Sequence, residues 1–386
     1  MLNAYYDNRN YLKKHGRSSI RVMTVHTRNH SIEANLFCQI WFEGIPDPVI
    51  SEVYEYRPVW YENFKRNSTD TLPIFLSCLN PLADQGLIPL SVSIVESPCG
   101  VPSNKFDVIY KLPEDGKKKT VAVCAKLHDY KDDWSMQLIE WIEILIILGA
   151  NKIIINIIRV HPKMMNILEF YEKIGNVELV FMTAPNAPVI LFYKEMIAIN
   201  DCFYKNMYKF DYITSLDIDE IIIPSRIKDK TWQDLLKRVI PKGRRINRNG
   251  FNTYESRMVL FNLDNNHQGE IQSEVPSFLM FLQHIFRASK FSGERVGSKS
   301  FMRTKDVIVI HMHRAMQCVN GCTIFQINPI DSRVQHYREG CGGGFKPELC
   351  DELRNDTVRD VTLWRYKDKI IKNVNETLKM TKNLLN

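Results

Sequence analysis

The chain has 386 residues, of which 45% are hydrophobic and 25% are charged, the composition of an ordinary globular protein with a sizeable core. No collagen period, internal repeat or low-complexity tract is visible, which excludes fibrous, solenoid and largely disordered classes. The net charge of +7 is a mild basic bias that fits an anionic ligand, or a weak attraction to membranes or nucleic acid.

The first third of the chain predicts short strands separated by proline-containing turns. Strands are predicted at residues 36–42, 53–59, 88–95 and 108–112. The charged segment 114–119 then predicts a turn and a boundary. We therefore predict a β-rich N-terminal region at 1–117 and an α/β domain at 118–386.

From Thr120 onward the pattern alternates between strands and helices. Strands are predicted at 121–127, 152–160 and 177–182, and helices after Asp132-Asp133, from Pro162 and over 188–207. Such alternation predicts an α/β fold with a parallel sheet and helices packed on its faces. Ligands of these sheets bind beyond the carboxyl ends of the strands.

An acidic motif, Asp217-Ile218-Asp219-Glu220, follows an apolar strand predicted at 212–216. In an extended backbone Asp217 and Asp219 would point to one side while Ile218 points into the core. Two carboxylates at a strand end form a hard-cation site with too few ligands to close it. A small divalent ion held in this way completes its shell with water or phosphate oxygens.

The acidic motif has other possible interpretations. A surface turn or a strand-end cap is the ordinary alternative. An EF-hand fails because Ile221 and Ile222 occupy the positions that need an oxygen ligand and a glycine. A phosphohydrolase with Asp217 as nucleophile would carry a small residue where these isoleucines stand, and a two-metal nuclease would need further acidic strand ends. No dinucleotide fingerprint, P-loop or nucleophile elbow is present. Glycosyl transfer from a nucleotide sugar is favoured, and a noncatalytic sugar-binding module is the further alternative.

The sequence also resembles glycosyltransferase family 92, and its arthropod members in particular, over about residues 121–350. The resemblance rests on an ordered series of segments: 123–127, Glu140-Trp141, Leu148-Gly149, Asn200-Asp201-Cys202, 216–220, 282–287, 299–301, His311-Met312-His313, Cys318 and 335–338.

The resemblance implies a GT-A fold in the domain at 118–386 and an inverting, metal-dependent hexosyltransferase. The implied donor is a UDP-sugar, with galactose as the sugar, and the implied cofactor is Mn²⁺ or Mg²⁺. The implied acceptor is a glycan, as an N-glycan or a glycolipid, bearing fucose. A type II Golgi membrane protein is also implied, although the chain as given begins without an anchor.

The acidic motif and basic residues on either side of it predict a metal and donor site. Asp219 is the first choice for direct metal contact, with Asp217 acting through water or on the ribose and Glu220 orienting both. His336 competes with His311 and His313 as a further metal ligand, and a core histidine is the alternative. Further donor-site candidates are Lys299 and Arg338 for the diphosphate, Lys126 and Asp132 for uridine, and Asp201 for the sugar. Surface ion pairs and a helix-surface residue are their alternatives.

An inverting transfer needs a general base that takes the proton of the acceptor hydroxyl. Glu270, Glu274 and Glu294 qualify by their position after the acidic motif. Glu294 ranks first because it lies just before Lys299-Ser300-Phe301.

No transmembrane segment is predicted, because the most apolar stretch, 138–158, is interrupted by charged and amide side chains. The N-terminus lacks the apolar core of a signal peptide, so the sequence taken literally predicts a soluble protein. The basic stretch 237–248 lacks interleaved aromatic residues and predicts a solvated loop and no nucleic-acid partner.

Nine cysteines favour an oxidising compartment instead. The gaps of three residues between Cys318 and Cys322 and of eight between Cys341 and Cys350 fit disulfides at least as well as zinc. Four glycosylation sequons add weakly to a prediction of the secretory-pathway lumen: Asn29, Asn67, Asn355 and Asn375.

Overall fold

The structure, a computed structural model, describes residues 2–9, 18–27, 35–60, 71–182, 191–263, 273–339 and 347–385. Asn29, Asn67, Glu270 and Cys341, which the sequence analysis singles out, lie outside these ranges. So does the side chain of Cys350.

The N-terminal part forms a barrel. Its seven described strands are β1 Asn3–Asp7, β2 Ser19–Thr27, β3 Phe37–Phe42, β4 Val49–Pro58, β5 Thr71–Leu79, β6 Pro89–Val95 and β7 Phe106–Ile109. They close in the order β1-β2-β5-β4-β3-β6-β7, with the parallel pair β1–β7 completing an otherwise antiparallel ring. The four predicted strands overlap β3, β4, β6 and β7, whereas β1, β2 and β5 were missed.

The barrel interior is apolar and is crossed by a disulfide. Inward-facing side chains such as Ile20, Ile40 and Val92 are fully buried. Cys38 on β3 is bonded to Cys78 on β5, two strands that are separated by β4. Because β-barrel strands alternate inward and outward residues, both cysteines can face the same apolar core, and the bond links the two strands on either side of β4.

A seven-stranded sheet dominates the rest of the described chain. Its strands, with the three helices that connect the first of them, are β8 Lys119–Asp129, α1 Ser135–Ile147, β9 Lys152–Arg159, α2 Pro162–Lys173, β10 Val177–Phe181, α3 Leu191–Asn206, β11 Phe210–Leu216, β13 Thr253–Ser256, β16 Lys299–Arg303 and β19 Ile324–Ile327. The strand order is β10-β9-β8-β11-β16-β13-β19. The helices and strands predicted from Thr120 to the acidic motif are all present.

The prediction of a parallel sheet is only half right. Strands β10, β9, β8 and β11 are parallel, but β16 runs antiparallel to both β11 and β13. The chain enters β16 after a long excursion from β13, so no single crossover helix fixes its direction. The sheet is therefore mixed, and the fold is a mixed α/β fold.

Each face of the sheet carries its own core. Along β8, Val121, Val123 and Ala125 pack with α1 and α2, while Ala122 and Cys124 face α3, as strand alternation requires. Helix α3 is packed between the sheet and the barrel, and the disulfide Cys124–Cys202 joins it to β8. The barrel consequently rests on the sheet through α3.

The remaining described elements form small sheets and flanking helices. They are β12 Glu220–Pro224, α4 Trp232–Ile246, β14 Met258–Asn262, α5 Met280–Gln283, β15 Phe286–Ala288, β17 Val307–Ile310, β18 Ala315–Cys318, β20 Ser332–Arg338, α6 Pro347–Asn355, β21 Thr357–Arg359 and α7 Lys367–Leu385, with short 3-10 helices at Ala83–Gln85 and Thr362–Tyr366. The small sheets are β12-β20-β14, β15-β21 and β17-β18.

Cys318 and Cys322 form a third disulfide, so the zinc interpretation is wrong for this pair. Disulfides persist in oxidising compartments, and the three bonds indicate a secretory or lumenal protein. Within the described ranges, every helix is too short or too polar to cross a membrane. The division of the chain at residue 117 remains a prediction, although the barrel ends at Ile109 and the sheet begins at Lys119.

Candidate active site

The acidic motif forms a turn at the carboxyl end of β11. Asp217, Ile218 and Asp219 connect β11 to β12, and the backbone N–H of Glu220 donates to the carbonyl of Asp217 over 3.1 Å. The prediction of an extended backbone is therefore wrong, because this hydrogen bond closes the segment into a turn. Ile218 is nevertheless buried, while the side chains of Asp217 and Asp219 are 21% and 29% exposed.

Neighbouring elements fix the backbone of this turn. Gln137 of α1 donates from Nε2 to the carbonyl of Ile218 at 3.1 Å, and Trp141 donates from Nε1 to the carbonyl of Glu220 at 3.0 Å. From the other side, the N–H of Tyr337 donates to the carbonyl of Asp219 at 2.8 Å. The carbonyls are held by α1 and β20, so the two aspartate side chains keep a defined direction.

Strand register brings three basic side chains to the turn. Ala125 of β8 lies opposite Leu216, which places Lys126 beside Asp217. On β16, Met302 lies opposite Ile213, and continuing this antiparallel register brings Lys299 to the same end of β11. His336 of β20 lies opposite Glu220. Three different strands thus contribute one cationic or titratable group each.

The distances define two layers of interaction. In the buried layer, Nζ of Lys299 lies 2.7 Å from Oε2 of Glu220 and 3.6 Å from Oδ2 of Asp217. In the more open layer, Nζ of Lys126 lies 3.7 Å from Oδ1 of Asp217. Nε2 of His336 lies 3.2 Å from Oδ2 of Asp219. Both carboxylate oxygens of Asp217 therefore face an ammonium at more than hydrogen-bond distance, whereas Asp219 contacts His336 through one oxygen.

The pKa values of the buried groups follow from this arrangement. Burial alone would lower the pKa of Lys299, but the Glu220 and Asp217 carboxylates outweigh it and raise that pKa above its ordinary value. Burial would raise the pKa of Glu220, yet Lys299 and His336 lower it. Burial alone would lower the pKa of His336, but the Glu220 and Asp219 carboxylates outweigh this effect and raise it. The lysine and the glutamate remain charged as a pair.

A cavity of about 300 Å³ opens directly over the aspartates. An exposed tryptophan, Trp134, stands at its rim with 44% of its surface accessible. The cavity is lined by Lys126, Tyr130, Trp134, Gln137, Asp217, Ile218, Asp219, His336 and Arg338. A cavity at the barrel end is larger, about 740 Å³, but His26 and Glu96 are the titratable side chains of its lining. The smaller cavity is the better candidate for the active site, because more charged and titratable side chains line it.

The donor set at the turn fits a hard divalent cation. Ligand oxygens of Asp217, Asp219 and Glu220 lie within 4.8 Å of one another. Glu220 is occupied by Lys299 and by the N–H of Asp217, which leaves the two aspartates and Nε2 of His336 as available ligands. Three groups are too few to close a coordination shell, so water or phosphate oxygens would complete it.

Some predicted site residues lie elsewhere. Asp201 faces the barrel, where its carboxylate accepts from Tyr5 at 2.5 Å and Asn3 at 2.7 Å and pairs with Lys205. Asp132 and Glu294 are exposed and do not line the cavity. Glu274 pairs with Lys367. The structure thus places Lys126, Lys299, His336 and Arg338 near the aspartates. The predicted contact of Asp201 with the sugar is wrong, because the Asp201 carboxylate lies away from the cavity and is bonded to Tyr5, Asn3 and Lys205.

The other candidate histidines are buried near β17 and β18. His311 and His313 have pKa values of about 3, lowered by burial first and then by neighbouring cations that include Lys299. Nδ1 of His313 lies 2.9 Å from the carbonyl of Ser298. Neither side chain lines the cavity, so His336 is the histidine with access to it.

Four residues at the site are not predicted from the sequence: Glu195, Tyr130, Trp134 and Gln137. Helices α1 and α3 begin at the sheet edge where the preceding strands end, so side chains in their first turns face the ligand edge. Glu195 is in this part of α3, and its Oε1 lies 3.3 Å from Nζ of Lys126. Asp201 is six residues further along α3, which places it about 9 Å further from that edge than Glu195. This topological rule was the signal that could have found Glu195.

A mixed α/β sheet with paired carboxylates at its ligand edge is an arrangement that suits transfer from a nucleotide-activated donor. The sequence model of glycosyltransferase family 92 matches residues 119–374, which is more than half of the chain and includes every residue of the cavity. The chain therefore belongs to glycosyltransferase family 92, as the resemblance implied, and this membership indicates glycosyltransferase activity. A search of the curated proteins found no match.

Proposed function

We propose that the protein is a metal-dependent, inverting glycosyltransferase of GT-A fold that moves a hexose, galactose, from a UDP-sugar to a glycan. The acceptor we propose is an N-glycan or a glycolipid that carries fucose, and the site of action is the Golgi or the secretory-pathway lumen. One observation carries the metal and donor part: two partly exposed aspartates lie under a cavity that is also lined by Lys126 and Arg338. The donor sugar and the acceptor rest on the family resemblance.

In this proposal Asp219, Asp217 and His336 would hold Mn²⁺ or Mg²⁺, and the diphosphate of the donor would supply further oxygen ligands. A bound divalent ion would supply positive charge to the diphosphate as it leaves. Lys126 and Arg338 add charge at the cavity wall. Lys299 is buried and forms an ion pair with Glu220. Its proposed role is therefore to hold Glu220 in place beneath the cavity and to offset the charge of Asp217.

The uridine side of the cavity is assigned to the rim formed by Tyr130 and Trp134, next to the predicted Asp132. Aromatic faces of this kind stack on bases and on sugar rings. Burial and then the nearby Asp217 and Asp219 raise the pKa of Tyr130, so its hydroxyl stays protonated and can donate a hydrogen bond.

Inversion requires a single displacement. The acceptor oxygen forms a bond to the anomeric carbon, the bond from that carbon to the diphosphate oxygen breaks, and a base takes the hydroxyl proton. We keep Glu294 as the proposed base, since its turn directly precedes the strand of Lys299. Intact transfer by a folded Glu294→Gln variant would remove it from this role.

The first experiment is calorimetric titration of UDP into the protein with and without Mn²⁺, repeated on Asp219→Ala. We expect binding that requires the metal and is lost in the variant. Asp115→Ala, which removes an exposed carboxylate from the turn before β8, is the matched control and should bind like the wild type.

The titration is followed by a donor and acceptor screen that measures release of UDP. Metal-dependent binding without release in any pairing would indicate a noncatalytic module of the same family. A folded wild-type protein that binds no UDP would contradict the proposed donor.

A further inference from the structure

Lys126 is shared between two carboxylates. Its Nζ lies 3.3 Å from Oε1 of Glu195 and 3.7 Å from Oδ1 of Asp217. The strand β8 supplies the lysine, α3 supplies Glu195, and the acidic turn supplies Asp217. In the described part of the chain, the lysine thus forms the link between the first turns of α3 and the proposed metal ligands.

The two carboxylates differ in their access to the cavity. Asp217 lines the cavity, and so does Lys126, whereas Glu195 does not. Glu195 is only 7% exposed. A ligand in the cavity can therefore touch the ammonium of Lys126 directly, while Glu195 lies behind it.

Metal binding would change the balance between these partners. A divalent cation on Asp217 would neutralise that carboxylate and would repel the neighbouring ammonium, since like charges a few ångströms apart in a partly buried site repel strongly. A lysine side chain has a flexible stem with several rotatable bonds. Without a second anion, the ammonium would turn away toward solvent. Glu195 is the carboxylate placed to retain it.

We propose that Glu195 is a positioning residue that holds the Lys126 ammonium in the cavity as a contact for the diphosphate of the donor. This inference rests on the proposed function, because it assumes a nucleotide diphosphate as the ligand. Burial raises the pKa of Glu195 above its ordinary value, and Lys126 opposes this shift without cancelling it.

The test is a double-mutant cycle on nucleotide affinity. UDP and UMP are each titrated, with Mn²⁺ present, into the wild type, Glu195→Gln, Lys126→Met and the double variant. We expect Glu195→Gln to weaken UDP binding about tenfold, the size of a lost charge-assisted contact, and to weaken UMP binding clearly less. In the Lys126→Met background the same substitution should change UDP affinity by less than about twofold.

Controls separate positioning from folding. Glu169→Gln is the same substitution at an exposed site on α2 and should leave UDP affinity unchanged. Thermal unfolding of each variant checks its integrity. Should Glu195→Gln fail to fold, Glu195→Asp replaces it, and this shortened carboxylate must still weaken UDP more than UMP.

Each outcome decides between the alternatives. An equal loss for UDP and UMP, or an undiminished effect of Glu195→Gln in the Lys126→Met background, overturns the positioning role and indicates direct contact or a structural effect. Unchanged UDP affinity in folded Glu195 variants also overturns it while leaving the proposed function intact. Absence of metal-dependent UDP binding by the wild type overturns both.

Discussion

The ammonium of Lys299 lies 2.7 Å from the carboxylate of Glu220, and both side chains are almost completely buried. The same carboxylate accepts the backbone N–H of Asp217 at 3.0 Å, and its other oxygen lies 3.5 Å from Nδ1 of His336. The buried Glu220 side chain thus holds the backbone at the start of the acidic turn, and with it the proposed metal ligand Asp217, in place. Its charge depends on Lys299.

We predict that Lys299→Met destabilises the protein by about 3–5 kcal/mol, the usual cost of leaving a buried charge without its partner. The methionine has a similar length but cannot neutralise Glu220. Urea unfolding at pH 7 measures the change in the free energy of unfolding.

Two variants test the cause of that loss. Lys299→Met combined with Glu220→Gln should regain part of the stability, because the uncompensated charge is then gone. Lys290→Met removes the lysine of an exposed pair with Glu352 and should leave the unfolding curve unchanged, since exposed pairs contribute little. A single Lys299→Met variant as stable as the wild type would contradict the burial argument.

His336 should make metal binding depend on pH. An imidazole binds a metal only in its neutral form. Its pKa is raised above 6.5 by Glu220 and Asp219 against the effect of burial, so Mn²⁺ affinity should fall as the pH decreases through that raised value. Calorimetric titration of Mn²⁺ between pH 5.5 and 7.5 measures the slope.

The variant His336→Gln should bind Mn²⁺ more weakly and lose most of that slope. His311 and His313 titrate near pH 3, so they do not contribute in this range. Equal pH dependence in the variant and the wild type would mean that His336 does not contact the metal.

The local pattern predicted the first half of the sheet well. From Lys119 to Leu216 apolar strands alternate with helices along the chain, so the local pattern alone identifies them. Strands β13, β16 and β19 have only four or five residues and pair with partners far away in the chain. Their direction depends on tertiary contacts, which a sequence pattern does not contain.

The site was predictable to a similar extent. The acidic motif is local, and the resemblance supplied Lys126, Lys299, His336 and Arg338, which the structure places around it. The extended conformation at Asp217 failed because a backbone hydrogen bond closes the turn. Asp201 was predicted at the site and Glu195 was not, because the helical pattern alone does not show which end of α3 lies at the ligand edge of the sheet.

Glu140 should make the stability of the protein decrease with rising pH. It is fully buried on α1, and burial raises its pKa to about 8 although the N–H groups of Phe281 and Leu282 donate to it. Because the unfolded carboxyl has an ordinary pKa near 4.5, the folded state binds the extra proton between the two values. Stability from this group is therefore complete below about pH 4.5 and falls as the pH rises to 8.

The variant Glu140→Gln should remove that dependence. One such group contributes a slope of at most about 1.4 kcal/mol per pH unit. Urea unfolding at pH 5.5, 6.5 and 7.5 should show the wild type losing stability relative to the variant. Glu169→Gln, at an exposed position, should follow the wild type, and parallel curves for Glu140→Gln and the wild type would contradict a neutral Glu140.

Asp7 should be essential for docking the barrel. Its buried carboxylate lies 2.9 Å from Nε of both Arg9 and Arg21. Arg9 in turn donates from Nη1 to the carbonyls of Thr304 and Val307 beyond β16. Asp7→Asn keeps the shape but removes a carboxylate partner from two buried guanidinium groups, of which Arg21 keeps Glu55 at 2.7 Å. We expect a loss on the order of 3 kcal/mol at pH 7, with Asp107→Asn, exposed on β7, as the silent control.

The loss of stability in Asp7→Asn should become smaller at acid pH. Burial alone would raise the pKa of Asp7, but Arg9 and Arg21 outweigh it and lower the pKa from 3.8 to about 2. The stabilisation from this group is therefore complete above pH 3.8 and is lost as the pH falls toward 2. In this range the wild type acquires the neutral side chain that the variant already has. Unfolding curves of the two proteins should therefore converge between pH 4 and pH 2, and a gap that stays constant over this range would show that Asp7→Asn acts through packing and not through charge.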